Sequence, residues 1–462
     1  MPLMKRFVAY AKPPTPLAGK LAAVSLLFAV GEGAFLTGSA VFFTKVVGLN
    51  GAQIGLGLTL ALVAAFISAY PMGRLVDRIG PKRCWAISSA GQAATFTVWP
   101  FIDDFWGFVA MAVTMEVFGS LGGAAHGAYT IDVLPPRERV TSRAYMYSAL
   151  NVGFSLGALV SVIALAPEST TVLLLIPFFT AISFAVNAVA VTRLPDAPHD
   201  SMTMDERRVK VPGPGPMKNV GWLVTSFFHG VMWTNQVLLH LVIPLWLVER
   251  TDAPWVVLSL LFATNTVMCI FLPLAAARGI KDNATALRAV RVSTTFFIVC
   301  CVITLSTHHS VGLLTVVLFF LGHVTLTGAE LYLAAAGWTF EAELSDPRRR
   351  GEYQGAAELS ATLGKVWAPA LYTFLVMTWG STGWLVIAGI VTLAAAGLHP
   401  STGVARRFLE RHVPPEVLAE ASASDPAEDP GSLAPVGPPS VTQPAEPGGV
   451  GPLTQSTGGN PL

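Results

Sequence analysis

Several long apolar runs carry polar and ionisable side chains at helical spacing. One run has Ser25, Glu32 and Ser39, each seven residues apart. Another has His229, Trp233, Gln236 and His240, and two more have His323, Thr327 and Glu330, then Glu358, Thr362 and Lys365. A fifth has Glu116 and Ser120, with His126 further along. Steps of three, four and seven keep side chains on one face of a helix. A charged group at the centre of a bilayer costs about 2.5–3.5 kcal/mol on insertion scales, so it normally faces a partner or a watery cavity. The chemistry open to such a set is proton exchange and the holding of a small molecule. Glu32, Glu116 and Glu330 are the candidate proton carriers. His229, Trp233, Gln236, His240, His323, Glu358 and Lys365 are the candidate cavity lining, with Glu330 and Lys365 as a candidate ion pair. Trp246, Tyr332, Trp338 and Trp367 are further aromatic candidates for a binding surface. Acids outnumber the single lysine, which favours lipophilic or cationic cargo. Neither a Gly-x-Ser-x-Gly nucleophile pattern nor a metal-ligand spacing occurs, so an enzyme, a resident metal and a cofactor are not expected. There is also no Walker A pattern, which argues against ATP as the driver.

The elements that position these residues follow from composition. The chain has 462 residues, of which 53% are hydrophobic and only 12% charged, with a mean hydropathy of +0.58. Ordinary soluble domains are about 25% charged, so the expected class is a polytopic membrane protein, not a soluble enzyme or nucleic-acid binder. A helix crossing a core about 30 Å thick needs about 20 apolar residues. Twelve runs qualify, over roughly 20–47, 52–72, 84–102, 105–131, 143–166, 170–192, 219–248, 254–277, 290–307, 311–340, 354–378 and 382–399. Lipid leaves backbone groups without outside partners, so these runs are expected to be helices in an all-α membrane protein. The first run is too long for a signal-peptide core and is read as a retained helix.

Placing both termini in the cytoplasm puts all but Lys45, Arg250 and Lys365 of the 29 Lys and Arg residues on that side or at its helix ends. The Pro-rich stretch 194–218 divides the spans six and six. The expected organisation is therefore an N-terminal bundle over 1–193, a cytoplasmic central loop over 194–218 and a C-terminal bundle over 219–399. A cytoplasmic tail over 400–462 completes it. Residues 401–412 suggest a short basic amphipathic helix on the membrane surface. The composition of 421–462 predicts disorder. A weak echo at an offset of 211, Pro136-Arg137-Glu138-Arg139 against Pro347-Arg348-Arg349-Arg350, fits a duplication. The pair Gly153 and Gly157 has a spacing suited to close helix packing.

After the second span the chain reads Gly73-Arg74-Leu75-Val76-Asp77-Arg78-Ile79-Gly80-Pro81-Lys82-Arg83. This resembles the signature of the major facilitator superfamily in the loop between helices 2 and 3. The start, from Gly31 to Ala40, more loosely resembles actinobacterial drug-efflux-like members. The resemblance implies two six-helix bundles, with helices 1, 4, 7 and 10 lining a central cavity. It implies that Asp77 meets the N-terminus of helix 11. Arg78 and Lys82 could reach Asp132 at the end of helix 4, although Pro81 stands where a basic residue is usual. Gly73 and Gly80 suit close approach and a tight turn. The expected function is alternating-access secondary transport: proton-coupled efflux of small lipophilic or cationic compounds, as in multidrug resistance. A proton-coupled uptake symporter for a small metabolite and a non-transporting membrane sensor or scaffold are the alternatives. The expected partners are cargo, protons and lipid, without nucleic acid. A monomer in the cell membrane, inner or plasma, is expected.

Overall fold

The computed structural model describes residues 12–167, 169–203, 206–207 and 211–423. The expected disorder of 421–462 falls, from residue 424 on, outside the described residues. Twelve helical stretches run α1 Pro16–Lys45, α2 Gly51–Ile79, α3 Pro81–Val98, α4 Phe105–Val133, α5 Arg139–Leu165, α6 Thr170–Thr192, α7 Val220–Arg250, α8 Val256–Phe271, α9 Asn283–Ser306, α10 Leu313–Glu343, α11 Arg350–Lys365 continued by Ala368–Trp379, and α12 Ser381–His412. A final short helix, α13, covers Pro415–Ala423. Among the described residues, nine of these are long and apolar enough to cross a bilayer. The other three are α3, α8 and α11, which are short, more polar or interrupted. The described residues form no strand, as a chain in lipid requires unless it closes a barrel.

Local chemistry sets the helix ends. Thr15 caps α1 by accepting from the Ala18 amide at 3.1 Å, with Pro16 in the first turn. Asn50 and Gln53 form a reciprocal capping box on α2, and Asp282 with Thr285 does so on α9. Gly80, at φ 108°, turns the chain between α2 and α3 in a single residue that L side chains rarely match. The motif is therefore not a loop: residues 73–79 are the last turns of α2. Residues 401–412 likewise form no separate surface helix. They continue α12 through Pro400 and bury Ala405 and Leu409, with Ala405 against Gly221 of α7.

Prolines break two helices. Pro244 removes a donor just after a π-helical turn over Leu238–Val242, and the chain also turns at Trp233–Thr234 within α7. Pro369 follows the break at Val366–Trp367 in α11. Buried Thr234, at the first break, shares a 2.9 Å hydrogen bond with the Tyr372 hydroxyl just past the second.

Two apolar clusters hold α1–α6. One is aromatic, with Phe35, Phe42, Phe43, Phe96, Trp99 and Phe108. The other, around Val76, Trp85 and Tyr129, lies at the end that carries the motif, the motif end. A third, larger cluster joins most of α7–α12. Helix α1 packs along α5 and α6, while α7 packs on α11 and α12. Gly153 and Gly157 of α5 make the first contact possible. A Cβ on Gly153 would lie 2.6 Å from the Leu26 carbonyl, and one on Gly157 would overlap the Val30 carbonyl. Gly157→Val should force α1 and α5 apart at a cost of about 1–3 kcal/mol. The check is the thermal midpoint of the purified protein, expected to fall, with Gly389→Val as a control because nothing stands within 4 Å of that position.

Candidate functional site

The motif end holds a dense contact between the two sets of six helices. The first amides of α11 have no intrahelical acceptor. Asp77, at the end of α2, accepts from the Gly351 amide through Oδ1 at 2.7 Å and from the Glu352 amide through Oδ2 at 2.8 Å. An acid at a helix N-terminus is favoured by about 0.3–1 kcal/mol when exposed, and by up to about 2 kcal/mol when partly buried. Small residues permit the approach. A Cβ on Gly73 would collide with the Gly351 carbonyl, and one on Gly355 with the Ala69 carbonyl.

Ion pairs surround this contact. Arg74 reaches Glu352 at 3.3 Å, and Arg349 approaches the same carboxylate at 3.7 Å. Buried Arg350 pairs with Asp132 of α4. The Asp132 partner is thus neither Arg78 nor Lys82. Lys82 instead binds Asp196 at 2.8 Å, and its amide donates to Asp200 at 3.1 Å. With α3 starting at Pro81, Lys82 faces the segment after α6, whereas the first turn of α11 sits over the end of α4. Burial pushes the Asp200 carboxyl above its ordinary range, opposed by the amides of Lys82 and Ala197 and by the charge of His199. His199 meets the Asp77 carbonyl at 2.7 Å. Deeper between the helices, Arg143 of α5 binds Glu341 of α10 at 2.7 Å, and Gln354 of α11 donates to the same carboxylate at 3.4 Å.

The candidate carboxylates fall into two kinds. Glu330 is 5% exposed and has a full set of partners. Tyr147 of α5 donates to it at 2.6 Å, Asn265 of α8 at 3.2 Å, and the Cys269 thiol lies 3.8 Å away. Its expected partner Lys365 goes elsewhere: it binds Glu358 at 3.2 Å, two turns away on the same helix face, both side chains being well exposed. Seven residues of helical rise separate the two by about 10 Å, a distance that two extended side chains span. Glu32 of α1 and Glu116 of α4 are different. Both are half-buried, the Glu116 charge acts on Glu32, and neither has a hydrogen-bond or ion-pair partner among the described residues. Ser120 bonds to Ser68 of α2 at 3.2 Å.

The helix 7 set does not form one straight stripe. His229 is wedged against Gly337 of α10, and its ring lies 6.0 Å from that of Trp233 at the break. Gln236 comes after the break and is half-buried. His240 lies in the π turn, is exposed, and stacks at 5.7 Å on Phe262 of α8. The extra residue of a π turn rotates the later side chains of the helix out of register. His323 is 2% exposed on α10, and neither ring nitrogen has a hydrogen-bond partner among the described residues. His126 packs on Trp85 at 4.9 Å. Trp246 is core, not binding surface: fully buried, it donates to Thr307 at 2.9 Å. Trp338 packs on Tyr147, Tyr332 on Phe296 and Trp367 on Tyr372. Sequence reasoning missed Tyr147, Asn265, Arg143, Glu341 and the role of Arg350, which the run Arg348–Arg350 disguised as one topological cluster. No group of three or more His, Cys, Asp or Glu positioned for a metal occurs among the described residues.

A helical bundle whose spans carry ionisable groups, clamped at one end through a helix terminus, defines a multi-pass membrane protein. The family model of the major facilitator superfamily matches residues 21–369, and the chain belongs to that superfamily of membrane transporters. No curated protein matches it. Among solved structures it is similar to a bacterial homologue of the iron transporter ferroportin in the outward-facing state, at 13% identity and TM-score 0.65, covering 86% of this chain and 100% of that one. It is also similar to the human organic anion transporter MFSD10, at 16% identity and TM-score 0.58, covering 84% and 100%. The proton:xylose symporter XylE matches at 14% identity and TM-score 0.59, covering 86% and 96%. At these identities the likeness shows the shared fold.

Asp77→Asn keeps one acceptor oxygen and loses the charge. It should weaken the α2–α11 contact by about 1–2 kcal/mol, a shift of roughly 5- to 30-fold between conformers. Spin labels at Arg78 and Arg348 would report it as a new, longer distance population. An unchanged distribution would remove Asp77 from this role.

Proposed function

We propose that this transporter is a secondary active exporter that exchanges protons for small lipophilic or cationic compounds by alternating access. The observation that carries the reading is the pair Glu32 and Glu116. Two carboxylates from different helices approach within electrostatic range inside apolar spans, without a cation or hydrogen-bond donor among the described residues. A structural acid would be partnered, as Glu330 is; an unpartnered pair is suited to exchanging protons, or a cationic ligand, with a watery cavity. The breaks in α7 and α11, joined by Thr234 and Tyr372, support a site near the membrane centre, since interrupted helices serve this purpose in other transporters. Glu358 of α11 is exposed and, among the described residues, bonds with Lys365 and Thr362.

In this reading, residues 1–193 and 219–399 are two bundles that rock about the cavity, joined by 194–218. The motif end, both termini and the central segment face the cytoplasm, and the protein works as a monomer in the cell membrane. The Asp77, Arg350–Asp132 and Arg143–Glu341 contacts then close the cytoplasmic side, so this conformer opens outward.

Glu32→Gln fixes the neutral form at nearly constant shape. In proteoliposomes with an imposed pH gradient it should abolish gradient-driven cargo flux while sparing downhill exchange; Glu32→Ala should lose both. Accumulation by Glu32→Gln at the wild-type level and pH dependence would reject Glu32 as the coupling site. The topology has its own check. A cysteine placed at Ser201 should resist impermeant maleimide in intact cells and react once the membrane is opened. Efficient labelling from outside would reverse the orientation.

A further inference from the structure

A large cavity among the described residues does not involve the intramembrane stripes. It lies at the motif end, measures about 1400 Å³, and is walled by α2, α4, α5, α11, α13 and the central segment. Eight Arg or Lys side chains line it against five Asp or Glu. Most of those acids are already engaged. Asp77 is held by the α11 amides, Asp132 by Arg350, and Glu352 by Arg74 and Arg349. Glu206 turns to the Thr203 amide and hydroxyl, at 2.6 and 2.8 Å, which hold its carboxyl below the ordinary range. Arg348 takes Asp346 outside the cavity lining.

Four cations therefore line the cavity without an ion-pair partner among the described residues: Arg78, Arg139, Arg207 and Lys218. Two of them are not ordinary surface anchors. Arg139 and Arg207 are each 7% exposed. Among the described residues, each spends N–H groups only on backbone carbonyls, Arg139 on Leu134 at 3.1 Å and Arg207 on Ile79 and Thr203. Asp132 and Glu343 act on Arg139 only through space, and Arg350 opposes them. Arg350, 4% exposed on the same wall, keeps its Nη1 buried without a hydrogen bond. Retaining positive charge on the cytoplasmic side requires no burial, whereas a buried, unpaired guanidinium is costly unless an anion answers it. The fork of an arginine matches phosphate geometry, and several forks converging on one cavity favour a group with three or four oxygens over a single carboxylate.

We propose that this cavity is a binding site for a phosphate-bearing anion, either a free phosphate compound or the headgroup of an anionic phospholipid. Arg139 and Arg207 hold it from within, with Arg78 and Lys218 at the rim. Its walls come from both sides of the α2–α11 contact, so occupancy favours the conformer in which that contact is made. Binding itself is independent of the transport reading; only the consequence for the conformer rests on it.

The test uses the full-length protein in detergent, titrated with inorganic phosphate against chloride at equal ionic strength, and read by calorimetry and thermal midpoint. A parallel arm compares nanodiscs of phosphatidylglycerol with nanodiscs of phosphatidylcholine. Saturable stabilisation by phosphate identifies a free anion; stabilisation by phosphatidylglycerol alone identifies the headgroup. In either case Arg139→Gln or Arg207→Gln should weaken the effect at least about tenfold, the loss of one charge-assisted hydrogen bond. Should those buried variants fold poorly, the exposed pair Arg78→Gln and Lys218→Gln, changed together, should weaken it similarly in a folded protein. No response to either ligand, or a wild-type response in the variants, would overturn the site. The conformer is read separately by the label distance between cysteines at Arg83 and Arg411, both exposed and outside the cavity lining, with and without the ligand.

Discussion

Two backbone amides at the start of α11 organise much of this structure. A helix cannot satisfy its own first donors, and next to a bilayer few free groups can replace water. Asp77 answers both amides at once, which seats the end of α2 against the first turn of α11. Glycines on both sides are the condition for it, since any Cβ at Gly73 or Gly351 would occupy the other's backbone. With the two helices seated, the arginines at the start of α11 are distributed by geometry. Arg349 falls beside Glu352, and Arg350 swings inward to Asp132. The Arg143–Glu341 and Tyr147–Glu330 contacts then extend the same seam between α5 and α10 toward the centre of the bundle.

Against this seam the inner ends of the charge stripes are sparse. Partnered and unpartnered acids occur in one bundle, and the difference is physical. Glu330 is enclosed by a phenol, an amide and a thiol, so it costs little to keep and joins three helices. Glu32, acted on by the Glu116 charge, and Glu116 have no such partners among the described residues. An acid without a partner is free to take up a proton or a cation, which is why the proposed exchange chemistry is assigned to that pair. The broken stretches of α7 and α11 are joined by the hydrogen bond between Thr234 and Tyr372.

The all-α membrane class was legible from the sequence because lipid permits few alternatives. Twelve apolar runs, a scarcity of charge and the asymmetric placement of Lys and Arg are one-dimensional quantities, and each helix satisfies its own backbone. Helix ends were read less well. The pattern Gly73–Ile79 looked like a loop because its charges mark a boundary, yet polar residues at a membrane edge remain helical until a residue such as Gly80 forces the turn. Residues 401–412 misled in the same way, since basic residues continue α12 on its outer faces while Ala405 and Leu409 pack inward.

What only the tertiary structure decided is which charge meets which. Spacing placed Glu358 and Lys365 on one face, but side-chain reach and solvent exposure, not helical rise, joined them. Nothing local distinguished Arg350 from Arg348 and Arg349, which point to three different carboxylates, one from α4, one from the preceding turn and one within α11. Tyr147 carries no periodic signal, and its bond to Glu330 spans 183 residues of chain. Hydrophobicity and helical period are properties of neighbours in sequence, so the chain itself displays them. Ion pairing between helices depends on the crossing of α2 with α11 and of α5 with α10, and those crossings exist only once the small residues on both sides have met.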